Sequence, residues 1–135
     1  MNPHFIFNAM NSIQHLIASG DHELAQTYLN KFAQLLRGVF EASKKISIPL
    51  ETDISIMDNY IALEALRYDD TFSYRIDINP ELNLKEVFVP ALIAQPIIEN
   101  AIHHGLGNMD HDGILRIEIS KQNGYLKYIL SLIHI

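Results

Sequence analysis

Apolar residues recur at three- and four-residue spacing through residues 2–42, again over 50–68, and once more over 89–107. Over 71–78 and 114–129 they alternate with polar ones. The first pattern belongs to helices buried on one side, the second to half-buried strands. Residues 2–18 are expected to form a helix, with Asn2 as N-cap, Pro3 in the first turn and Gly20 past the end. Phe5, Ala9 and Leu16, flanked by Ile6, Met10, Ile13 and Ile17, give it a wide apolar face. Asp21 caps a second helix running to about Ala42, buried along Leu24, Tyr28, Phe32, Leu35 and Val39, with Leu36 and Phe40 beside them. The two helices make an antiparallel hairpin. Alone it buries too little surface, and a twofold copy of itself, making a four-helix bundle, is the simplest partner.

The second half mixes both periods. Ile46 to Ile48 reads as a short strand and Leu50 to Tyr68 as a helix with Ile54, Met57, Ile61 and Ala65 on one side. Glu64 and Arg67, three apart, read as an ordinary surface pair with no catalytic role. Thr71 to Ile78 is a strand broken by Asn79–Pro80, and Lys85 to Val89 is a short extended stretch. Val89 to Gly107 reads as one mostly apolar helix, opened after Pro90 and stopped by Gly105. Ile93, Ile97 and Ala101 mark its face, Ile98 and Ile102 widen it, and Pro96 predicts a kink or a late start near Gln95. Ile114 to Ser120 is a strand with Leu115, Ile117 and Ile119 on one face, Asn123–Gly124 a hairpin turn, and Tyr125 to Ile129 the returning strand. The expected class is α+β.

Composition narrows the function. With 48% hydrophobic residues the 135-residue chain can build a core, while a net charge of −6 argues against nucleic-acid binding. The absence of cysteine excludes disulfides and thiolate chemistry and suits the cytoplasm. No apolar run approaches the roughly 20 residues that span a bilayer. The hexapeptide LSLIHI, residues 130–135, is also the conceptual translation of a transposon end used in sequencing-library preparation. It is expected to be adapter read-through and is left out of the fold reading.

The chemistry concentrates in the apolar helix. Glu99 and His103 are four apart, as are Asn100 and His104, so the four share one polar stripe. Such a stripe must meet water, a partner or a ligand. An Asn carbonyl oxygen suits Mg²⁺, an adjacent carboxylate can hold a metal-bound water, and the glycines beyond allow a mobile, lid-like loop, LGNMDHDG. On spacing alone a solvent-facing stripe accounts for it equally well. A zinc site drawn from His103, His104, Asp110, His111 and Asp112 matches no zinc-ligand spacing, and a solvated loop is the better account. His4 is the notable residue of the first helix, since an imidazole can act as base, metal ligand or nucleophile.

Two motifs carry a resemblance. ENAIHHG, residues 99–105, resembles the N box of the Bergerat ATP-binding fold shared by sensor histidine kinases, gyrase and the heat-shock chaperones. NPHFIFNAMNSI, residues 2–13, resembles the phosphoacceptor motif of the LytS/YehU-like sensor histidine kinases, and the similarity continues through YLNKFAQLLRGVFEAS and IPLETDISIMDNYIALEALRYDD. It spans nearly all of residues 2–129. The resemblance implies that His4 is the phosphoacceptor nucleophile, with Phe5 standing where many histidine kinases carry an acidic base and Asn8 the nearest polar group to orient the ring. It implies ATP and Mg²⁺ as cofactors, Asn100 as the Mg²⁺ ligand, and Glu99 as holding a metal-bound water or helping to polarise the attacking ring. His103, His104 and Gly105 fall in the phosphate-proximal, nucleotide-binding part.

The implied architecture is a dimerising helical hairpin over residues 1–44, followed over 45–129 by the N-terminal part of an incomplete Bergerat-type α/β sandwich. The implied protein is an ATP-dependent protein-histidine kinase. It works as a homodimer and passes its phosphoryl group to a response-regulator aspartate, from the cytoplasmic side of an inner-membrane sensor whose membrane segments lie outside this chain. These 135 residues contain neither a DNGxG-like box nor a later glycine-rich segment, so the polypeptide by itself is expected to be inactive. A non-catalytic dimerisation scaffold is the alternative. An ATPase of the gyrase or chaperone type would leave NPHFIFN unexplained. Resequencing past codon 129 tests the adapter reading: genomic DNA encoding LSLIHI there would overturn it.

Overall fold

Gly20 ends the first helix in the left-handed region, at φ +82°. The amides of Gly20 and Asp21 bond back to the Ile17 and Leu16 carbonyls at 3.1 and 3.0 Å, closing a Schellman turn. Asp21 Oδ1 then accepts the Leu24 amide at 3.3 Å and caps the next helix. The computed structural model describes residues 3–67, 72–106 and 113–134. There these signals bound α1 (Pro3–Ala18) and α2 (His22–Ser43). The expected Asn2 cap lies outside the described residues.

The rest of the chain runs β1 (Ser47–Pro49), α3 (Leu50–Arg67), β2 (Phe72–Ile78), β3 (Phe88–Pro90), α4 (Gln95–Asn100), a π-helical segment (Ala101–Leu106), β4 (Gly113–Gln122) and β5 (Tyr125–His134). The fold is α+β. A three-stranded sheet has the order β2-β4-β5, with β2 parallel to β4 and β4 antiparallel to β5. A two-stranded ladder pairs β1 with β3, Ile48 opposite Val89. Asn123 at φ 52° and Gly124 at φ 81° make the tight β4–β5 turn, both left-handed as a type I′ hairpin requires.

The hairpin of α1 and α2 finds a partner inside the chain. Phe5 of α1 stacks on Phe32 of α2, ring centroids 6.1 Å apart, and meets Tyr60 of α3 at 4.9 Å. One continuous core runs from these rings through Leu35, Met57 and Ile61 to Ile98 and Ile102, and ends on Leu115, Ile117 and Ile119 of the sheet. The buried stripe of α1 is narrower than expected, because α3 covers one side only. Met10 and Ile17 stay exposed, as do Phe7, Leu29 and Phe40. The far face of the sheet is ionic: Arg116 Nε donates to Asp77 at 2.9 Å, Arg75 Nε to Asp77 at 2.8 Å, and Arg116 Nη2 reaches Glu118 at 2.8 Å.

Three sequence expectations need correction. The apolar helix does not open after Pro90. Leu92 takes φ 60°, the helix starts at Gln95, and the late start that Pro96 favours rotates the buried face. Ile98 and Ile102 enter the core, whereas Ile93 and Ile97 are exposed. Nor does Gly105 stop the helix: it lies within the π-helical segment, where an added Cβ would collide with the Leu132 side chain. The returning strand is also longer than expected. Residues 130–134 complete β5, pairing from Leu130 opposite Ile117 to His134 opposite Gly113.

Asp53 ties α3 to β5 by accepting the Tyr128 hydroxyl at 2.8 Å. Burial raises its carboxyl above the ordinary value, and the Tyr128 bond offsets this only in part. A folded-state pKa above the unfolded one favours the neutral acid. Stability therefore falls as pH rises from the unfolded value of 3.8 through the raised folded one, and the full cost persists above it. Asp53→Asn is expected to be more stable than wild type at pH 7, by about 1.4 kcal/mol for each unit of elevation, and so to melt at a higher temperature, with the gap closing below about pH 4. Thermal melts across pH check this; an Asn variant that is less stable at pH 7 would contradict it.

Candidate functional site

The candidate site is built where α4 gives way to the π-helical segment. Pro96 occupies the first turn, where a missing N–H costs nothing, and no side chain caps the Ala94 start. Beyond Asn100 the backbone widens from α to π, a change of period that sequence spacing does not register and that occurs often at functional sites. Ile98 and Ile102 anchor this stretch in the core. The opposite side carries the polar stripe.

Glu99, Asn100, His103 and His104 line one shallow cavity of about 240 Å³ together with Pro96. The spacing argument for a shared stripe therefore survives the change of helix type. Asn100 and His104 are exposed, and Glu99 and His103 half-buried. Gln95, almost wholly buried, donates from Nε2 to Glu99 Oε1 at 3.3 Å and so limits the rotamers of that carboxylate. Gly105 lies beyond the cavity against Leu132, so its lack of a side chain serves packing here.

His103 turns inward as well. Its Nε2 lies 3.4 Å from the Tyr60 hydroxyl and 3.9 Å from Glu64 Oε2. Glu64 is 0% exposed, which overturns its reading as half of a surface pair. It stands four residues after Tyr60 and three after Ile61, the period of the buried side of α3. That register was the available signal. Its charge pointed to the surface, and its position pointed to the core.

His4 is exposed on α1, while the adjacent Phe5 is buried against Phe32 and Tyr60. It is not among the residues lining the Glu99–His104 cavity. Asn8, one turn further, lines a separate groove of about 310 Å³ with Asn11, Ser12, His15 and Tyr28. Residues 107–112, with Asp110, His111 and Asp112 of the loop expectation, lie outside the described residues. Among the described residues no three His, Cys, Asp or Glu side chains gather as a metal cage. One amide oxygen and one carboxylate do suit Mg²⁺, which is ordinarily held by one or two protein groups and completed by water and substrate phosphates.

A family model described as histidine kinase matches residues 1–72, which include His4, the hairpin, Tyr60 and Glu64. The chain is also similar to the sensor protein kinase HptS of Staphylococcus aureus, strains USA300, NCTC 8325 / PS 47 and COL. Each is 31% identical over 121 residues, 90% of this chain and 23% of the relative. The chain thus spans under a quarter of the length of these curated relatives.

Proposed function

The chain belongs to the histidine kinase family, and from that premise we propose that it is the phosphoacceptor and N-box portion of a sensor kinase that phosphorylates His4 from ATP. The observation that carries the reading is the convergence of Glu99, Asn100, His103 and His104 on one cavity in a chain whose matched region holds His4. The bound Mg·ATP supplies an electrophilic γ-phosphorus and an ADP leaving group. The His4 imidazole forms the N–P bond as the P–O bond to ADP breaks, and its ring proton leaves to a base. The exposure of His4 on a rigid helix suits a group that must reach a nucleotide and afterwards a response-regulator aspartate.

In this reading the Asn100 carbonyl oxygen holds Mg²⁺. Glu99, steadied by Gln95, orients a metal-bound water or polarises the attacking ring. His103 and His104 face the phosphates, and Gly105 lets the backbone lie close to β5. Residues 1–44 are the dimerising hairpin and 45–129 the start of a Bergerat-type ATP-binding unit. The single core that α3 and α4 share with the β2-β4-β5 sheet supports that assignment. The exposed Phe7, Met10, Ile17, Leu29 and Phe40 supply an apolar surface for a homodimer. No helix among the described residues is long and apolar enough to cross a membrane. The same apolar surface also suits a non-catalytic dimerisation scaffold, the competing reading.

The full-length kinase carrying this chain, given labelled ATP and Mg²⁺, is expected to yield acid-labile, base-stable phosphate. His4→Gln abolishes it and Asn100→Asp lowers it by about 10²–10³-fold. Label that survives His4→Gln overturns the acceptor assignment, and no label in the activated wild type favours the scaffold. The 135-residue chain alone, without a DNGxG-like box, is expected to bind ATP weakly; tight binding by calorimetry would contradict this.

A further inference from the structure

A carboxylate buried among apolar side chains is costly unless it is met by charge or hydrogen bonds. Glu64, on α3 beside Tyr60, Ile61 and Leu63, is such a group: all four are 0% exposed. From the π-helical segment, His103 Nε2 approaches it, 3.9 Å from Oε2. The Tyr60 hydroxyl, one helical turn away, approaches the same nitrogen at 3.4 Å. The His103 side chain is 25% exposed and forms part of the cavity wall with Glu99, Asn100 and His104. A single imidazole therefore reaches from a buried acid to the cavity.

We propose that Glu64 and Tyr60 are positioning residues that fix the ring of His103 in the cavity wall and tie that wall to the helix carrying His4. The buried Glu64 carboxylate, 3.9 Å from Nε2, favours a proton on that nitrogen, and the Tyr60 oxygen then accepts from it, as an acidic partner sets the tautomer of a histidine elsewhere. The ring orientation follows, because that nitrogen is turned toward α3. Tyr60 is bound on both sides. Its hydroxyl faces His103, and its ring packs 4.9 Å from that of Phe5, the residue after His4. The wall of the candidate nucleotide site and the root of the phosphoacceptor thus share one side chain. What His103 does for a phosphate rests on the function proposed above; how it is held does not.

The test is a long-range ¹H–¹⁵N spectrum of the side-chain imidazoles, recorded on the full chain without nucleotide for wild type, Glu64→Gln and Tyr60→Phe. His103 is expected to carry its proton on Nε2 in wild type and to lose that signature in Glu64→Gln, while His104 and His15 stay unchanged. A His103 signature unmoved by either variant overturns the proposal. Should Glu64→Gln fail to fold, Tyr60→Phe decides alone, since it keeps the ring on Phe5 and removes only the hydroxyl. In the full-length kinase, Glu64→Gln is expected to raise KM for ATP about 10-fold with labelling at saturating ATP little changed. A fall in labelling at unchanged KM overturns the proposal. A normal His103 signature in a wild type that never labels His4 overturns the kinase reading and leaves the pairing standing.

Discussion

Burial of α3 is the constraint on which the rest of the structure depends. The helix is covered by the α1–α2 hairpin on one side and approached by the strands on the other, so its Met57, Tyr60, Ile61 and Leu63 are all lost to solvent. Burying side chains of this size contributes roughly 1.5–3 kcal/mol each. That gain holds together two parts of the chain that neither local propensity nor turn chemistry would bring into contact. The aromatic contact of Phe5 with Phe32 and Tyr60 is its centre, and one core runs from it into the sheet.

The same burial explains the polar groups that α3 carries inward. Asp53 and Glu64 would each be expensive in an apolar interior. Asp53 meets the Tyr128 hydroxyl of β5 and Glu64 faces His103 of the π-helical segment, so each acid marks a point where α3 is tied to a later element. The Asp53–Tyr128 hydrogen bond has a direction that a methyl contact lacks, and so sets how α3 lies against β5. The ionic face of the sheet does no comparable work: Arg75, Asp77, Arg116 and Glu118 are partly exposed, where such pairs contribute little.

Much of the fold was legible because its signals are local. The Schellman turn at Gly20, the Asp21 cap, the alternation in β2 and β4 and the Asn123–Gly124 turn all depend on residues a few positions apart. The shared stripe of Glu99, Asn100, His103 and His104 was legible for the same reason. What escaped depends on distant partners. Glu64 looked like a surface acid because charge is ordinarily solvated; its register with Tyr60 and Ile61 pointed inward, but the imidazole that meets it, His103, lies about forty residues downstream. Ile97 and Ile98 are equally apolar, so which of them enters the core follows from where the helix starts.

By itself the sequence determined the class of each element, the caps and turns between them, and the residue types that place the chain among the histidine kinases, because these follow from periodicity, backbone preference and short motifs. Only the tertiary structure decided that β2 lies parallel to β4, that the backbone widens to π after Asn100, and that Tyr60 and Glu64 meet His103. The reason is physical: a pairing between strands forty residues apart, or a buried acid facing a distant imidazole, is selected by the free energy of the whole packed core, and no window of neighbouring residues contains it.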